Sequence, residues 1–262
     1  MKPDVSFIGA GSVAWHLAPA LDNAGYIVKE VFSRDSLHAA ELTGRLYQAE
    51  VHGSLDFSES TSGLFIVSVA DDALISVIRE LVLPDDATIV HTSGSQPLTI
   101  LQDSAATGMG VLYPLQTFSK DKKIDWKAVP FFVEAGDDRT QALLMELAAE
   151  ISPRVYPMQS EQRLALHVAG VFASNFSNYM LTVAADILRD QLLSFDYLKP
   201  LIVETINKAM VLGPEEGQSG PARRGDLEIL DRHLEFLQED AKIAEIYRLI
   251  SQQIIDHYHT TE

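Results

Sequence analysis

Along the first part of the chain, short apolar runs rich in Val, Ile and Phe alternate with longer amphipathic stretches. Such runs, bounded by turn residues, read as strands buried on both faces, and the stretches between them as helices lying over those faces. The pattern predicts strands at residues 5–8, 27–32, 63–69, 87–91, 110–113, 130–134 and 154–156, with a shorter one at 48–51. It predicts helices at 13–24, 36–44, 72–83 and 139–151, with polar residues suited to N-caps at their starts. Strands and helices in this alternation make an α/β unit, a mostly parallel, doubly wound sheet.

After Pro157 the period becomes helical. Residues 160–193 contain no Gly or Pro apart from Gly170 and read as one long helix, and 197–211 and 227–255 continue in the same period. Gly213, Pro214, Gly217, Gly220, Pro221 and Gly225 mark one extended loop between 211 and 226. The expected organisation is therefore an α/β domain over 1–157 followed by an all-α domain over 158–262.

A chain of 262 residues with 47% hydrophobic content can bury two modest cores without a covalent staple. It has no cysteine, which removes disulfides, thiolate metal sites and cysteine nucleophiles together. Met1-Lys2-Pro3-Asp4 leads straight into the first strand with no signal-peptide layout, and no apolar run approaches roughly 18 residues. A soluble, cytoplasmic protein without a membrane partner is expected. The net charge of −17 repels phosphate backbones, so nucleic acid is not an expected partner. An anionic cofactor must then be held by a few placed donors.

Such donors stand at the first strand-to-helix turn. Ile8-Gly9-Ala10-Gly11-Ser12-Val13-Ala14 spells Gly-x-Gly-x-x-Ala between a strand and a helix. Gly9 suits the tight turn, Gly11 lets backbone approach a pyrophosphate, and the amides of Ser12 and Val13 open the helix toward it. This is the phosphate turn of a Rossmann dinucleotide-binding domain. In NAD-selective domains the second strand ends in a carboxylate for the ribose 2′-hydroxyl; here it ends Phe32-Ser33-Arg34-Asp35. Ser33 and Arg34 suit a 2′-phosphate, which favours NADP over NAD, although Asp35 lies close enough to serve NAD.

Ligands of open α/β sheets sit beyond the carboxyl ends of the strands. Three further loops fall there: Ser68-Val69-Ala70-Asp71-Asp72, His91-Thr92-Ser93-Gly94-Ser95 and Tyr113-Pro114-Leu115-Gln116-Thr117-Phe118. Val69, Ala70 and Ser93 are expected to wall the cofactor, and Tyr113 and Gln116 to face a substrate. Asp71 or Asp72 serves either that site or the cap of the next helix. His91 is either a proton donor or a ring bonded to neighbouring backbone. On the long helix, a uniform 100° per residue puts Ser174 and Asn178 within roughly 20° of His167, with Asn175 on the flank. This polar stripe on an apolar helix is either an active-site face or a structural hydrogen-bond network. In Gly220-Pro221-Ala222-Arg223-Arg224-Gly225-Asp226, two readings stand: the guanidiniums clamp a substrate anion, or Asp226 caps a helix while they sit in water.

These stretches together, which span nearly the whole chain, resemble the Rossmann-like proteins with a C-terminal helical domain of unknown function, a group taken for NADP-dependent oxidoreductases. More distantly the layout is similar to pyrroline-5-carboxylate reductase, ketopantoate reductase, deazaflavin-dependent NADP oxidoreductases and β-hydroxyacid dehydrogenases of the 3-hydroxyisobutyrate type. The last carry Gly-x-x-x-Lys-x-x-x-Asn on the interdomain helix, where this chain has Gly170, Ser174 and Asn178. The serine removes the ammonium that would protonate a ketone oxygen, and Tyr113-Pro114 replaces the group's usual His-Pro.

The resemblance implies an NADPH-dependent reductase of a small anionic carbonyl or imine compound. In it His167, Ser174, Asn175 and Asn178 carry the catalytic face, and Arg223 and Arg224 the anionic group; by analogy it is a homodimer. The alternative is a catalytically silent NADP-binding sensor or regulator, motivated by the missing lysine. Arg34→Ala is expected to weaken NADPH binding about tenfold or more while leaving NADH nearly unchanged, because only the phosphate meets the guanidinium. Fluorescence titration with both nucleotides checks this, and equal losses would remove the assignment.

Overall fold

A computed structural model describes residues 2–259. The chain divides into two compact units that meet between Asn175 and Phe176. In the first, strands β1 (Val5–Ile8), β2 (Val28–Phe32), β3 (Glu50–Val51), β4 (Leu64–Val67), β5 (Thr88–His91), β6 (Gly108–Pro114), β7 (Phe131–Ala135) and β8 (Val155–Pro157) form one sheet. Their order is β3-β2-β1-β4-β5-β6-β7-β8. The strands from β3 to β6 run parallel; β7 turns antiparallel to β6, and β8 pairs parallel with β7. Strands fall within or beside the expected runs, and β3 lies within the shorter one expected over 48–51.

Side-chain alternation along the strands divides the core between two faces of the sheet. Val5 and Phe7 of β1 and Leu64 and Ile66 of β4 join Leu17 and Leu21 of helix α1 (Ser12–Asn23) and Leu144 and Leu147 of helix α4 (Asp138–Ala149). Ile8, Phe65, Val67 and Ile89 point the other way, onto Leu74 and Ile78 of helix α3 (Asp71–Glu80). Helix α2 (Ser36–Thr43) follows β2. A third, smaller cluster joins Val111, Tyr113 and Phe132 with Leu166 of helix α5 (Ser160–Gly170).

Polar chemistry holds α5 in place. Arg163, 1% exposed, donates from Nη1 to Glu134, 7% exposed, on β7. Its Nη2 donates to the Gln96 carbonyl at 2.6 Å, leaving Nε without a partner. Ser160 Oγ donates to the same carboxylate at 2.8 and 2.9 Å and accepts from the Leu98 amide at 3.0 Å. Two buried charges with their remaining bonds largely satisfied thus tie the start of α5 to β7 and to the segment after β5.

The single helix expected over 160–193 is corrected by a π-helical stretch, Val171–Phe176, between α5 and α6 (Ser177–Asp190). A turn closed by i→i+5 bonds advances less per residue than an α turn, so the phase computed at a uniform 100° fails beyond Gly170. The second unit continues with α7 (Lys199–Leu212), α8 (Pro214–Gly217), α9 (Pro221–Arg224), α10 (Leu227–Phe236) and α11 (Ala241–His259). The expected extended loop holds two one-turn helices, α8 and α9, each opened by a proline whose fixed φ suits the first helical position. The expected helix over 227–255 breaks before Asp240, whose carboxylate takes the amides of Lys242 and Ile243 at 3.1 and 3.0 Å.

Arg163→Met is expected to destabilise the chain by about 3–5 kcal/mol, because the Glu134 charge is left buried and unpaired. Combining it with Glu134→Leu should restore most of that loss. Urea unfolding of both variants measures this; a single substitution as stable as the parent would contradict the pairing.

Candidate functional site

The strand order reverses between β1 and β4, and the glycine turn sits at that reversal. Gly9 has φ 106°, and a Cβ there would lie 2.2 Å from the Ser68 carbonyl oxygen. Only glycine fits this approach of the turn to the end of β4. Its amide donates to the Phe32 carbonyl at 2.7 Å, fixing the turn against β2 as well. At Gly11, the N-cap of α1, no side chain caps the helix and no acid occupies its first turn. Ser12 and Val13 therefore present their amides to an incoming anion. Val69 and Ala70 follow β4 at the same edge, Ala70 being exposed.

At the end of β2, Ser33 is half-buried and Arg34 exposed. Asp35 is committed elsewhere: it caps α2 by accepting from the Leu37 amide at 2.9 Å. The one nearby carboxylate is thereby drawn into the helix, while the guanidinium stays available. Asp71 and Asp72 occupy the first turn of α3 without a capping bond, and Asp71 accepts from Ser95 Oγ.

His91 is fully buried, and its Nδ1 accepts the Ser93 amide at 3.2 Å. Burial first, and the Arg163 charge second, push its pKa down to about 3 against small opposing effects of Pro97 and Asp71. His91 is thus a neutral ring that shapes the turn, with Nδ1 unprotonated. The backbone-bonded alternative is the one realised.

Two hydrogen bonds join β6 and the loop after it to α5 and the π-helical stretch that follows. Tyr113 Oη and His167 Nδ1 share a bond of 3.0 Å, and Thr117 Oγ1 and Ser174 Oγ share one of 3.1 Å. Gly94 makes the first possible: a Cβ there would meet His167 Nδ1 at 2.6 Å and the Tyr113 ring at 2.7 Å. Gly170 leaves room for Leu115, which lies 3.6 Å from where its Cβ would be. Burial raises the pKa of Tyr113, which favours the neutral phenol that can donate a proton. Ser93, buried, lies one residue from Gly94 and accepts the Ser95 amide at 3.2 Å. Gln116 is exposed and accepts from the Thr117 amide, and Asn175 is exposed in the π stretch.

The structure therefore brings Tyr113 to His167 and gives Ser174 a partner, Thr117, which sequence reasoning had not assigned a role. It also adds the Arg163–Glu134 pair, whose only sequence signal was a lone carboxylate ending an apolar strand. Asn178, Arg223 and Arg224 belong to the second unit. There the Arg223 guanidinium lies 4.0 Å from the Tyr258 ring centroid, its carbonyl accepts from His259 Nε2 at 2.9 Å, and Arg224 is exposed. Asp226 caps α10 through the Ile229 amide at 3.4 Å. Among the described residues no group of three or more His, Asp or Glu could hold a metal ion, and no helix is long and apolar enough to cross a membrane.

Residues 2–117 match the Rossmann-like domain family, and residues 129–254 match a family described as a domain of unknown function, DUF2520. A Bacteroides fragilis protein, provisionally named an NADP oxidoreductase, is 38% identical over 97% of this chain and 98% of its own, with a TM-score of 0.89. A reductive aminase from Aspergillus terreus, solved with NADPH and ethyl-5-oxohexanoate, is 16% identical over 98% of this chain and 95% of its own, with a TM-score of 0.70. An imine reductase from Myxococcus stipitatus, solved with NADP+, is 15% identical over 98% and 96%, with a TM-score of 0.67. At such identities the last two share the fold. No curated protein sequence matches the chain.

His91 makes stability depend on pH. Below 6.5 the unfolded chain takes up a proton that the folded ring refuses until about pH 3, so this contribution is full above 6.5 and is lost as pH falls toward 3. His91→Asn, which keeps an acceptor for the Ser93 amide, should flatten the dependence of unfolding free energy on pH in that window by about one proton. Urea unfolding across the window checks this; equal slopes in both proteins would show that another group governs it.

Proposed function

The chain belongs to the family of Rossmann-like proteins with the C-terminal domain of unknown function, and on that premise we propose that it is an NADPH-dependent oxidoreductase reducing a small anionic carbonyl or imine compound. The observation that carries the reading is a phenol–imidazole pair at the same sheet edge as an uncapped dinucleotide turn. Gly9, Gly11, Ser12 and Val13 hold the pyrophosphate, and Ser33 and Arg34 hold the 2′-phosphate, with Val69, Ala70 and Ser93 along the cofactor. The nucleotides in the relatives solved with NADPH or NADP+ support the same choice of cofactor.

When bound, NADPH supplies the hydride. The proton falls to this chain, and Ser174 is too weak an acid to replace a lysine there. Tyr113 and His167 take that role: one donates to the nascent nitrogen or oxygen, and the other passes a proton on through their shared bond. An imine, which arrives protonated, needs the least acid assistance and is the favoured substrate class. Leu201, Val203, Ile206 and Met210 of α7 leave apolar side chains exposed, and we assign them to contact between two copies of the chain.

The test follows NADPH consumption against a panel of oxo acids and cyclic imines. Turnover by the parent is expected, with His167→Ala and Tyr113→Phe lowering kcat by about 10²–10⁴ while NADPH affinity stays within a few-fold. Asn178→Ala and Arg224→Ala in the same assay measure what the second unit adds. Parent-like turnover in the first two variants would remove the pair from the chemistry. Tight NADPH binding without turnover across the panel would favour the silent sensor, a reading motivated by the bond that occupies Ser174 with Thr117.

A further inference from the structure

Away from the dinucleotide turn, the first unit carries a cavity of about 500 Å³ on the outer side of α1. Arg45, Lys120, Lys122 and Lys123 line it, facing Asp121 and Glu150. No residue of the glycine turn borders it. Lys120, Lys122, Lys123 and Lys127 place four of the chain's 20 lysines and arginines within eight residues of a protein whose net charge is −17. The carboxylates do not cancel them. Glu150 is held by Lys2 at 3.1 Å, and Lys120 has Glu41 at 3.8 Å, while among the described residues Arg45, Lys122 and Lys123 form no ion pair.

The cations sit on a built frame. Pro19 lies inside α1 and has no amide to offer the Trp15 carbonyl; Arg45 Nη1 donates to that carbonyl instead. The Arg45 guanidinium then covers the Trp15 ring at 4.1 Å, and Lys120 Nζ lies 4.7 Å from the same ring centroid. The lysine loop is tied to α1 by Trp15 Nε1, which donates to the Lys120 carbonyl at 3.2 Å, and by His16 Nε2, which donates to the Ser119 carbonyl at 2.8 Å. Trp126, on the cavity wall, stacks on Phe131 with centroids 5.5 Å apart. Like charges gathered on a fixed backbone repel one another, and with four cations to two carboxylates along its lining the cavity keeps an excess of positive charge.

We propose that this cavity binds a small organic polyanion, bearing phosphate or carboxylate groups, with Arg45, Lys122 and Lys123 as its charge partners. A ligand of that class supplies the missing counter-charge, and a cavity of this volume lies in the range of small-molecule sites.

The chain's two tryptophans, Trp15 and Trp126, both belong to this site, so intrinsic fluorescence reports on it directly. Pyrophosphate and citrate, titrated separately into the full chain at constant ionic strength, distinguish phosphate from carboxylate recognition. A saturable change in tryptophan emission with at least one of them is expected. Lys122→Glu combined with Lys123→Glu should weaken it by about tenfold or more, with thermal unfolding unchanged, whereas saturating NADP+ should leave it intact. The milder Lys122→Gln with Lys123→Gln should weaken it less, and serves if the reversed charges disturb folding. The proposal is overturned by the absence of a saturable change with either anion, by a response that sodium chloride reproduces, by equal binding in the lysine variants, or by competition from NADP+, which would place the probe at the dinucleotide turn.

Discussion

The site in the first unit depends on one buried ion pair. Arg163 and Glu134 are removed from water, and such a pair repays its desolvation only when geometry and further hydrogen bonds are good. Ser160 and the Gln96 carbonyl supply those bonds, so the pair reaches three segments at once: the start of α5, strand β7 and the turn after β5. His167 lies one helical turn beyond Arg163, and its position follows from that anchorage. Gly94, in the turn the pair also fixes, lets Tyr113 and His167 meet. Burial first, and the same guanidinium second, keep the His91 ring neutral.

The dinucleotide turn rests on a different constraint, the close approach of backbone to backbone. β1 and β4 are neighbours because the strand order reverses there, and the end of β4 comes so near the turn that no side chain fits at Gly9. An acidic chain cannot attract a phosphorylated cofactor by its average field. It works with local donors: amides that no side chain caps and Arg34, whose neighbour Asp35 has been taken up by a helix cap. In the proposed reading, selectivity between the two nicotinamide cofactors follows from which of two adjacent side chains the helix consumes.

Where the resemblance would place a lysine, the structure gives Ser174 a partner of its own. Ser174 pairs with Thr117 in a π-helical stretch, a geometry that recurs where helices serve function. In the proposed reaction the acid role falls to Tyr113, within β6, and to His167, about two helical turns before Ser174 and in contact with that phenol. This division suits a substrate that needs a modest proton donor.

The sequence by itself determined the strands, the parallel winding and the phosphate turn, because these depend on period-2 and helical patterning and on glycines whose need is local. It also singled out Tyr113, His167 and Ser174 as candidates for the site. It did not pair Tyr113 with His167 or Ser174 with Thr117, since these partners are separated by more than fifty positions and meet only when β6 and α5 pack. It misjudged the phase beyond Gly170, because a π turn is a choice of hydrogen bonding that residue period does not reveal. Arg163 had no role in the sequence reading; only the tertiary structure turned it inward, onto a buried carboxylate on β7. Partners chosen by packing across the sheet are invisible to any local pattern, and in this protein they bring the candidate residues Tyr113 and His167 together.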